Sequence, residues 1–355
     1  MKVIAFNSSP RPAARSRTAL MLDALVEGMR EAGAYVDIIG LKDKKVRACT
    51  ACYSCWSLTP GKCSQQDDMT LELLPRIVDA DMVVFASPLY HYHINAVMKT
   101  LIERTLPAFH PFLERNGDAI YHPVRDRFPD VVLLCVGGNP DAVVFEHLSG
   151  WANYLFGKNG RQPGLRLIAE VYRTSSSVMT EIPDKLKDIL DATQQAGREL
   201  VLDREITAET MSRITRPVEE IDTVLELANM SWRYCIAEHV TPAGMERREH
   251  PPRPVSIKSM MAILKMGFNV GKTGGREGVL QFNLTGEIAG SFHLVIAGGA
   301  IKAVEGIAGR SDFEVEAPFD VWADIMCGKL DGAQAVAEGK YTMKGDPSWM
   351  GMFGR

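Results

Sequence analysis

The chain has no apolar stretch long enough to cross a bilayer. Its longest runs, such as VVLLCV at 131–136, are six residues, where a spanning helix needs about 20. Nor does it open like an export signal, because MKVIAFNSSPRP holds only four consecutive apolar residues before polar ones take over. Charge of neither sign is in much excess. With 40 Lys and Arg against 44 Asp and Glu, the net −4 gives no electrostatic reason to expect nucleic acid or an anionic membrane as a partner. Cysteine is sparse, seven in 355 residues, and 46% hydrophobic residues can fill a core without disulfides. The expectation is a cytoplasmic protein of two or three domains, with no transmembrane segment and no disulfide framework.

Two phosphate-binding signatures are missing as well. The first apolar run, VIAF (3–6), is not followed by G-x-G-x-x-G, so a dinucleotide pyrophosphate site is unsupported. FNVGKTGG (268–275) looks like a P-loop, but Met266 stands where glycine is required, and a helix rather than a strand precedes it.

What is present is an alternation of elements. VIAF (3–6), YVDIIGL (35–41), MVVFA (82–86), VVLLCV (131–136) and LRLIAEVY (165–172) read as strands. Most do not alternate polar with apolar, as expected of strands covered on both faces in a parallel sheet. Helical spacing between them, at 18–30, 95–106, 143–156 and 184–202, predicts a three-layer doubly wound α/β domain over 1–204. Residues 205–254 read as a helical extension and linker, ending in the proline- and charge-rich TPAGMERREHPPRPV. Beyond it, a helix and short alternating segments VLQFNL, SFHLVI, AIKAV and FEVEA predict a small α+β domain over 255–355, with an antiparallel sheet that buries one face.

In such a sheet, of order 2-1-3-4-5, ligands sit beyond the strand C-termini where the first and third strands diverge. The first loop, NSSPRPAARSRTAL, offers Ser8, Ser9, Ser16 and Thr18 hydroxyls, Arg11 and Arg17 charge, and a helix N-terminus. That set suits a single terminal phosphate, although helix capping by Ser16 or Thr18 is the plainer reading. The third loop carries Ser87, Pro88, Leu89, Tyr90 and His91, beside which a planar ring could stack. In the fourth, Gly137 and Gly138 with Asn139 allow close backbone approach. Tyr90 and Tyr92 could equally pack on the next helix, with His91 and His93 solvated.

Four cysteines fall within fifteen positions, as Cys49-x2-Cys52-x2-Cys55-x7-Cys63. This spacing can hold three irons of a cubane, with the fourth ligand closing the site. Zinc normally uses two C-x2-C pairs, and Cys63 has no close partner. A redox dithiol, or a packed loop that merely covers a ligand, also remains open. The cluster reading is preferred because all four sulfurs are present. Asp67 and Asp68 are read as helix caps, and Cys135, Cys235 and Cys327 as core residues.

Through NSSPR…SRT, CTACYSCW…PGKCSQQDDM, SPLYHYHINAVMKTLIERTLP and GGNP, residues 1–200 or so resemble the flavodoxin-like NAD(P)H-dependent FMN reductase family. Within that family the likeness is to the iron–sulfur flavoproteins. The resemblance implies FMN held by its phosphate at Ser9, Arg11, Ser16, Arg17 and Thr18. The ring would lie against Ser87–His91, edged by Gly137–Asn139, with Tyr90 and His91 the side chains nearest the chemistry. It further implies a [4Fe–4S] cluster on the four cysteines, NAD(P)H as co-substrate, and a homo-oligomer. Residues 255–355, through GKLDGAQAVAEGK…KGD at 328–346, resemble the type-two sterol carrier protein domain, which implies a lipid-like ligand. The expectation is therefore an FMN-dependent oxidoreductase that passes electrons from NAD(P)H or a ferredoxin-type donor to a small, quinone-like acceptor. The alternative is a lipid carrier with a flavodoxin-like redox-sensing or scaffold domain.

Overall fold

The computed structural model describes residues 1–157, 162–248 and 250–353. Glu249 of the expected linker and the last two positions of the expected C-terminal domain lie outside them. The chain divides into two compact units, Met1–Val218 and Glu219–Arg355.

In the first unit the parallel strands are β1 (Lys2–Asn7), β2 (Tyr35–Gly40), β3 (Met82–Tyr90), β7 (Asp130–Val136) and β8 (Leu167–Arg173). Their order is β2-β1-β3-β7-β8, which counted over parallel strands is the 2-1-3-4-5 of a flavodoxin-like fold. The numbering gap is filled by two short antiparallel additions. One is β4 (His93–Ile94), folding back on the end of β3; the other is the hairpin of β5 (Glu114–Asn116) and β6 (Ala119–Tyr121). Helices α1 (Arg17–Glu31), α2 (Leu74–Asp79), α3 (Ala96–Glu103), α4 (Glu146–Phe156), α5 (Pro183–Leu202) and α6 (Ala208–Thr215) complete the unit.

Because neighbouring side chains on a strand point to opposite faces, each central strand feeds two cores. Ile4, Phe6, Val83, Phe85, Val131 and Leu133 pack with Ile77 of α2, Met98 and Leu101 of α3, and Leu148 of α4. The intervening Val3, Ala5, Val84, Val132 and Leu134 are equally buried on the opposite face, where α1 packs against the sheet and α5 against α1. This double burial is why the strands read as unbroken apolar runs. A single π-turn, Met69–Leu73, leads the cysteine loop into α2.

The second unit contains α7 (Ile221–Ala237), the short turn α8 (Pro242–Met245), α9 (Ile257–Gly267), α10 (Phe319–Met326) and α11 (Gly332–Ala337). Its five strands, β9 (Gly278–Thr285), β10 (Gly290–Ala297), β11 (Ala300–Glu305), β12 (Phe313–Pro318) and β13 (Thr342–Gly345), run in the order β11-β10-β9-β12-β13. The expectation of an antiparallel sheet needs one correction, since β9 and β12 pair in parallel. Two hairpins leave β11 pointing the same way as β9, so residues 306–312 must cross the sheet before β12 can start on the free edge of β9.

That crossover explains Gln281, which is 2% exposed on the sheet face opposite the core. Its Oε1 accepts from the Ala308 amide at 2.8 Å, and its Nε2 donates to the Phe292 carbonyl at 3.0 Å. The core face of β9 is Leu280, Phe282 and Leu284, continued by Phe292, Leu294 and Ile296. Phe282 and Phe292, directly opposite in register, stack at 5.0 Å. Trp322 and Trp349 are almost wholly buried in the same core, and among the described residues neither indole Nε1 finds a hydrogen-bond partner. A Cβ at Gly278 would collide with the Trp349 ring, so glycine there is what admits the indole.

Candidate functional site

The loops after β1, β3 and β7 all leave the C-terminal edge of the sheet, and hydrogen bonds stitch the first two together. Ser8 donates from both its amide and Oγ to the Ala86 carbonyl, at 3.0 and 3.2 Å. Asn95 Nδ2 donates to the Ser8 carbonyl at 2.7 Å, while the Asn95 amide donates to Ser87 Oγ at 3.0 Å. The same Asn95 caps α3 by accepting from the Met98 amide. One buried amide side chain thus fixes both rims of the cleft.

In the first loop Ser9, Ser16 and Thr18 are buried and Arg11 is exposed. Ser16 is the N-cap of α1, its Oγ accepting from the Ala19 amide at 3.0 Å. Capping ties up that lone pair, and it leaves the Arg17 and Thr18 amides as the unsatisfied donors of the first helical turn. Arg17 itself turns to Thr180 Oγ1 at 2.7 Å. The structure brings these five residues into one loop, with Ser16 serving the helix.

The third loop is more ordered than its sequence suggested. β3 continues through Ser87, Pro88 and Leu89 to Tyr90, then reverses at His91 and Tyr92, both left-handed (φ 49° and 63°), so that Leu89 pairs with Ile94 and Tyr90 with His93. Two adjacent positive φ values are the signature of the tight hairpin turn, usually made by Asn and Gly. Ser87 is wholly buried, and Tyr90 and Tyr92 are about half exposed rather than packed on the following helix. His93, expected as a solvated residue, instead contacts Trp151 at 4.7 Å. Burial, aided by Lys99, lowers its pKa. Gly137 is buried, and a Cβ there would crowd the Leu89 and Phe145 side chains, whereas Gly138 and Asn139 face solvent.

Cys49, Cys52, Cys55 and Cys63 line a single small recess of about 20 Å3, open on one side. Cys55 is buried, and burial together with the other three sulfurs raises its pKa. Cys52 is exposed, and hydrogen bonding from Ser54 and Ser64 lowers its thiol to about 6. Ala51 and Tyr53, on either side of Cys52, are left-handed (φ 51° and 54°). Alternating backbone hand of this kind turns successive amides toward one concavity, an arrangement that favours anions and recurs at iron–sulfur sites. Trp56 braces the loop, its Nε1 donating to the Leu106 carbonyl at 3.2 Å. Among the described residues no three His, Cys, Asp or Glu side chains form a group that could hold a single metal ion.

Two readings of the sequence change here. Asp67 does accept from the Thr70 amide, at 3.3 Å, as a cap would, but its main partner is Arg104, at 2.7 and 3.0 Å. Asp68 does not cap; its Oδ2 accepts from the Lys45 amide at 2.7 Å. Burial alone would raise the Asp67 carboxyl, yet the Arg104 guanidinium and the Arg47 and Thr70 amides hold it at about 2. Arg104, 1% exposed, also donates to Cys63 Sγ at 3.4 Å. Neither Arg104 nor Asn95 was singled out in the sequence. A signal existed for the arginine, which falls three residues after Leu101 on the buried stripe of its helix, where a charge requires a partner.

Residues 1–122 match the NADPH-dependent FMN reductase family, and residues 272–353 match the SCP-2 sterol transfer family. The chain therefore joins an FMN-reductase-type segment to a sterol-carrier-type segment. Among curated proteins it is similar to an iron–sulfur flavoprotein of Archaeoglobus fulgidus, 37% identical over 110 residues that cover 31% of this chain and 48% of the relative. An iron–sulfur flavoprotein of Methanocaldococcus jannaschii is 34% identical over 116 residues, covering 33% of this chain and 58% of the relative. The chain thus spans about half the length of these curated relatives. Among solved structures it is similar to the NAD(P)H:quinone oxidoreductase of Methanothermobacter marburgensis, at 20% identity and a TM-score of 0.42, covering 56% of this chain and 96% of that one.

Proposed function

We propose that the chain is an FMN-dependent oxidoreductase that takes electrons from NAD(P)H or a ferredoxin-type donor. It passes them to a small, apolar, quinone-like acceptor, with the four-cysteine recess holding a [4Fe–4S] cluster. The observation that carries this reading is the convergence of Cys49, Cys52, Cys55 and Cys63 on one recess, in a unit whose first 122 residues match the FMN reductase family.

The residues suit both groups. Ser9, Arg11, Arg17 and Thr18, with the free amides of the first turn of α1, would hold the FMN phosphate. Ser87 to His91 would line one face of the ring, and the absence of a side chain at Gly138 would admit its edge. Tyr90 and His91 would stand nearest the ring. Four cysteines on one recess supply the four-thiolate ligand set of a cubane. When bound, FMN supplies two-electron and one-electron chemistry, and a cluster supplies one-electron transfer. The chain's part is to position these groups and shield them from water. We also propose a cytoplasmic homo-oligomer.

Anaerobic purification followed by a visible spectrum, flavin assay and iron assay tests this directly. Flavin and iron in a ratio of about one to four, with iron lost on Cys52→Ala while flavin stays, is the expected result. Flavin without iron would remove the cluster. A protein that stays colourless after incubation with FMN would remove the oxidoreductase. The second reading, a carrier of a lipid-like ligand, is favoured by the sterol-carrier-type match at 272–353. It predicts no NAD(P)H oxidation with quinone or ferric acceptors.

A further inference from the structure

Arg104 closes α3 as its C-cap residue and places a guanidinium on the wall of the cysteine recess. Its Nη1 donates to Asp67 Oδ2 and to the Arg47 carbonyl, both at 2.7 Å. Its Nη2 donates to Asp67 Oδ1 at 3.0 Å, to Thr70 Oγ1 at 3.1 Å and to Cys63 Sγ at 3.4 Å. The buried Nε has no acceptor among the described residues. A bidentate carboxylate fixes the plane of the guanidinium, so the N–H aimed at Cys63 is held in place rather than sampled. A charge this deeply buried is costly unless every donor finds a partner. Asp67 balances the charge, but one N–H is left over, beside sulfur-lined space.

We propose that Arg104, locked by Asp67, is a positioning residue for the fourth cysteine ligand: its N–H, held on Cys63 Sγ, makes a cluster bound there easier to reduce. This rests on the cluster reading above and adds to it a specific electrostatic role. Reduction adds one electron to a group already made anionic by four thiolates, and no bond is formed or broken. A cation whose N–H points at one of those sulfurs stabilises the more negative state, and hydrogen bonds to sulfur raise cluster potentials.

The experiment is an EPR-monitored redox titration of the full chain, anaerobically reconstituted with iron and sulfide. Arg104→Gln should shift the one-electron reduction equilibrium at least tenfold toward the oxidised cluster, about 59 mV to more negative potential. Lys187→Gln, which removes an exposed charge on α5, should leave it unchanged. If Arg104→Gln does not fold, the unmutated protein carrying guanidino-15N arginine answers the same question. Pulsed EPR of the reduced cluster should then show a 15N coupling, which the hydrogen bond requires. An unshifted equilibrium, or no 15N coupling, in protein carrying its full iron would overturn the role of Arg104 and leave the cluster intact. Unmutated protein that takes up no iron would overturn both together.

Discussion

Gly28 of α1 and Gly197 of α5 face each other across the helix pair, each set against the backbone of the opposite helix. A Cβ at Gly28 would collide with the Gln194 carbonyl oxygen, and one at Gly197 with that of Leu25. Reciprocal glycines let the two backbones touch. Gly28→Ala or Gly197→Ala should force the helices apart and destabilise the first unit by about 1–3 kcal/mol, the usual cost of overpacking. Urea denaturation followed by circular dichroism would measure it, and an unchanged midpoint would refute the close approach.

The buried Asp67–Arg104 pair gives stability a definite pH dependence. The Asp67 carboxyl is held at about 2, below its ordinary 3.8, so its contribution is complete above pH 4 and disappears as the pH falls through 2. The shift corresponds to about 2 kcal/mol. Asp67→Asn leaves a buried cation unpaired and should cost about 3–5 kcal/mol at neutral pH. The gap between variant and parent should narrow in denaturation curves taken below pH 3. A gap constant with pH would contradict the pairing.

Thiol reactivity should separate the cysteines. In iron-free protein, Cys52 should react with iodoacetamide half-maximally near pH 6, because its thiol is lowered to about 6. Cys55, raised by burial and by its neighbouring sulfurs, should stay inert well into the alkaline range. Peptide mass spectrometry across a pH series resolves the two. Equal labelling at neutral pH would contradict the loop geometry.

Asn95 links three elements, so its loss should be felt at a distance. Asn95→Ala removes the α3 cap and leaves the buried Ser8 carbonyl unpaired, a combined cost of about 2 kcal/mol or more. Flavin affinity, followed by quenching of FMN fluorescence, should weaken with it, since the side-chain tie between the two rims of the cleft is lost. Full stability with unaltered flavin affinity would show that the tie is dispensable.

The layered sheet of the first unit was legible because strands buried on both faces leave unbroken apolar runs between helix-period segments. The reversal at His91 and Tyr92 was not, because neither residue is a usual turn former and only the paired strand ends hold them left-handed. Arg104 was hidden for a different reason. A charged residue in a helix reads as solvent-facing until its partner, 37 positions earlier, is brought beside it. In the second unit each strand was visible from its alternation, but the parallel sense of β9 and β12 depends on the path of the connection, which leaves no periodic trace.

That path has a consequence for biosynthesis. Until residue 313 and its successors emerge, β9 has a neighbour on one side only, and its other border presents bare amides and carbonyls along a row of Leu280, Phe282 and Leu284. A nascent or prematurely terminated polypeptide stopping near Glu305 would therefore expose a sticky border suited to pairing with its own kind. Ribosome stalling there should yield insoluble fragments, whereas release after the 342–345 segment should not.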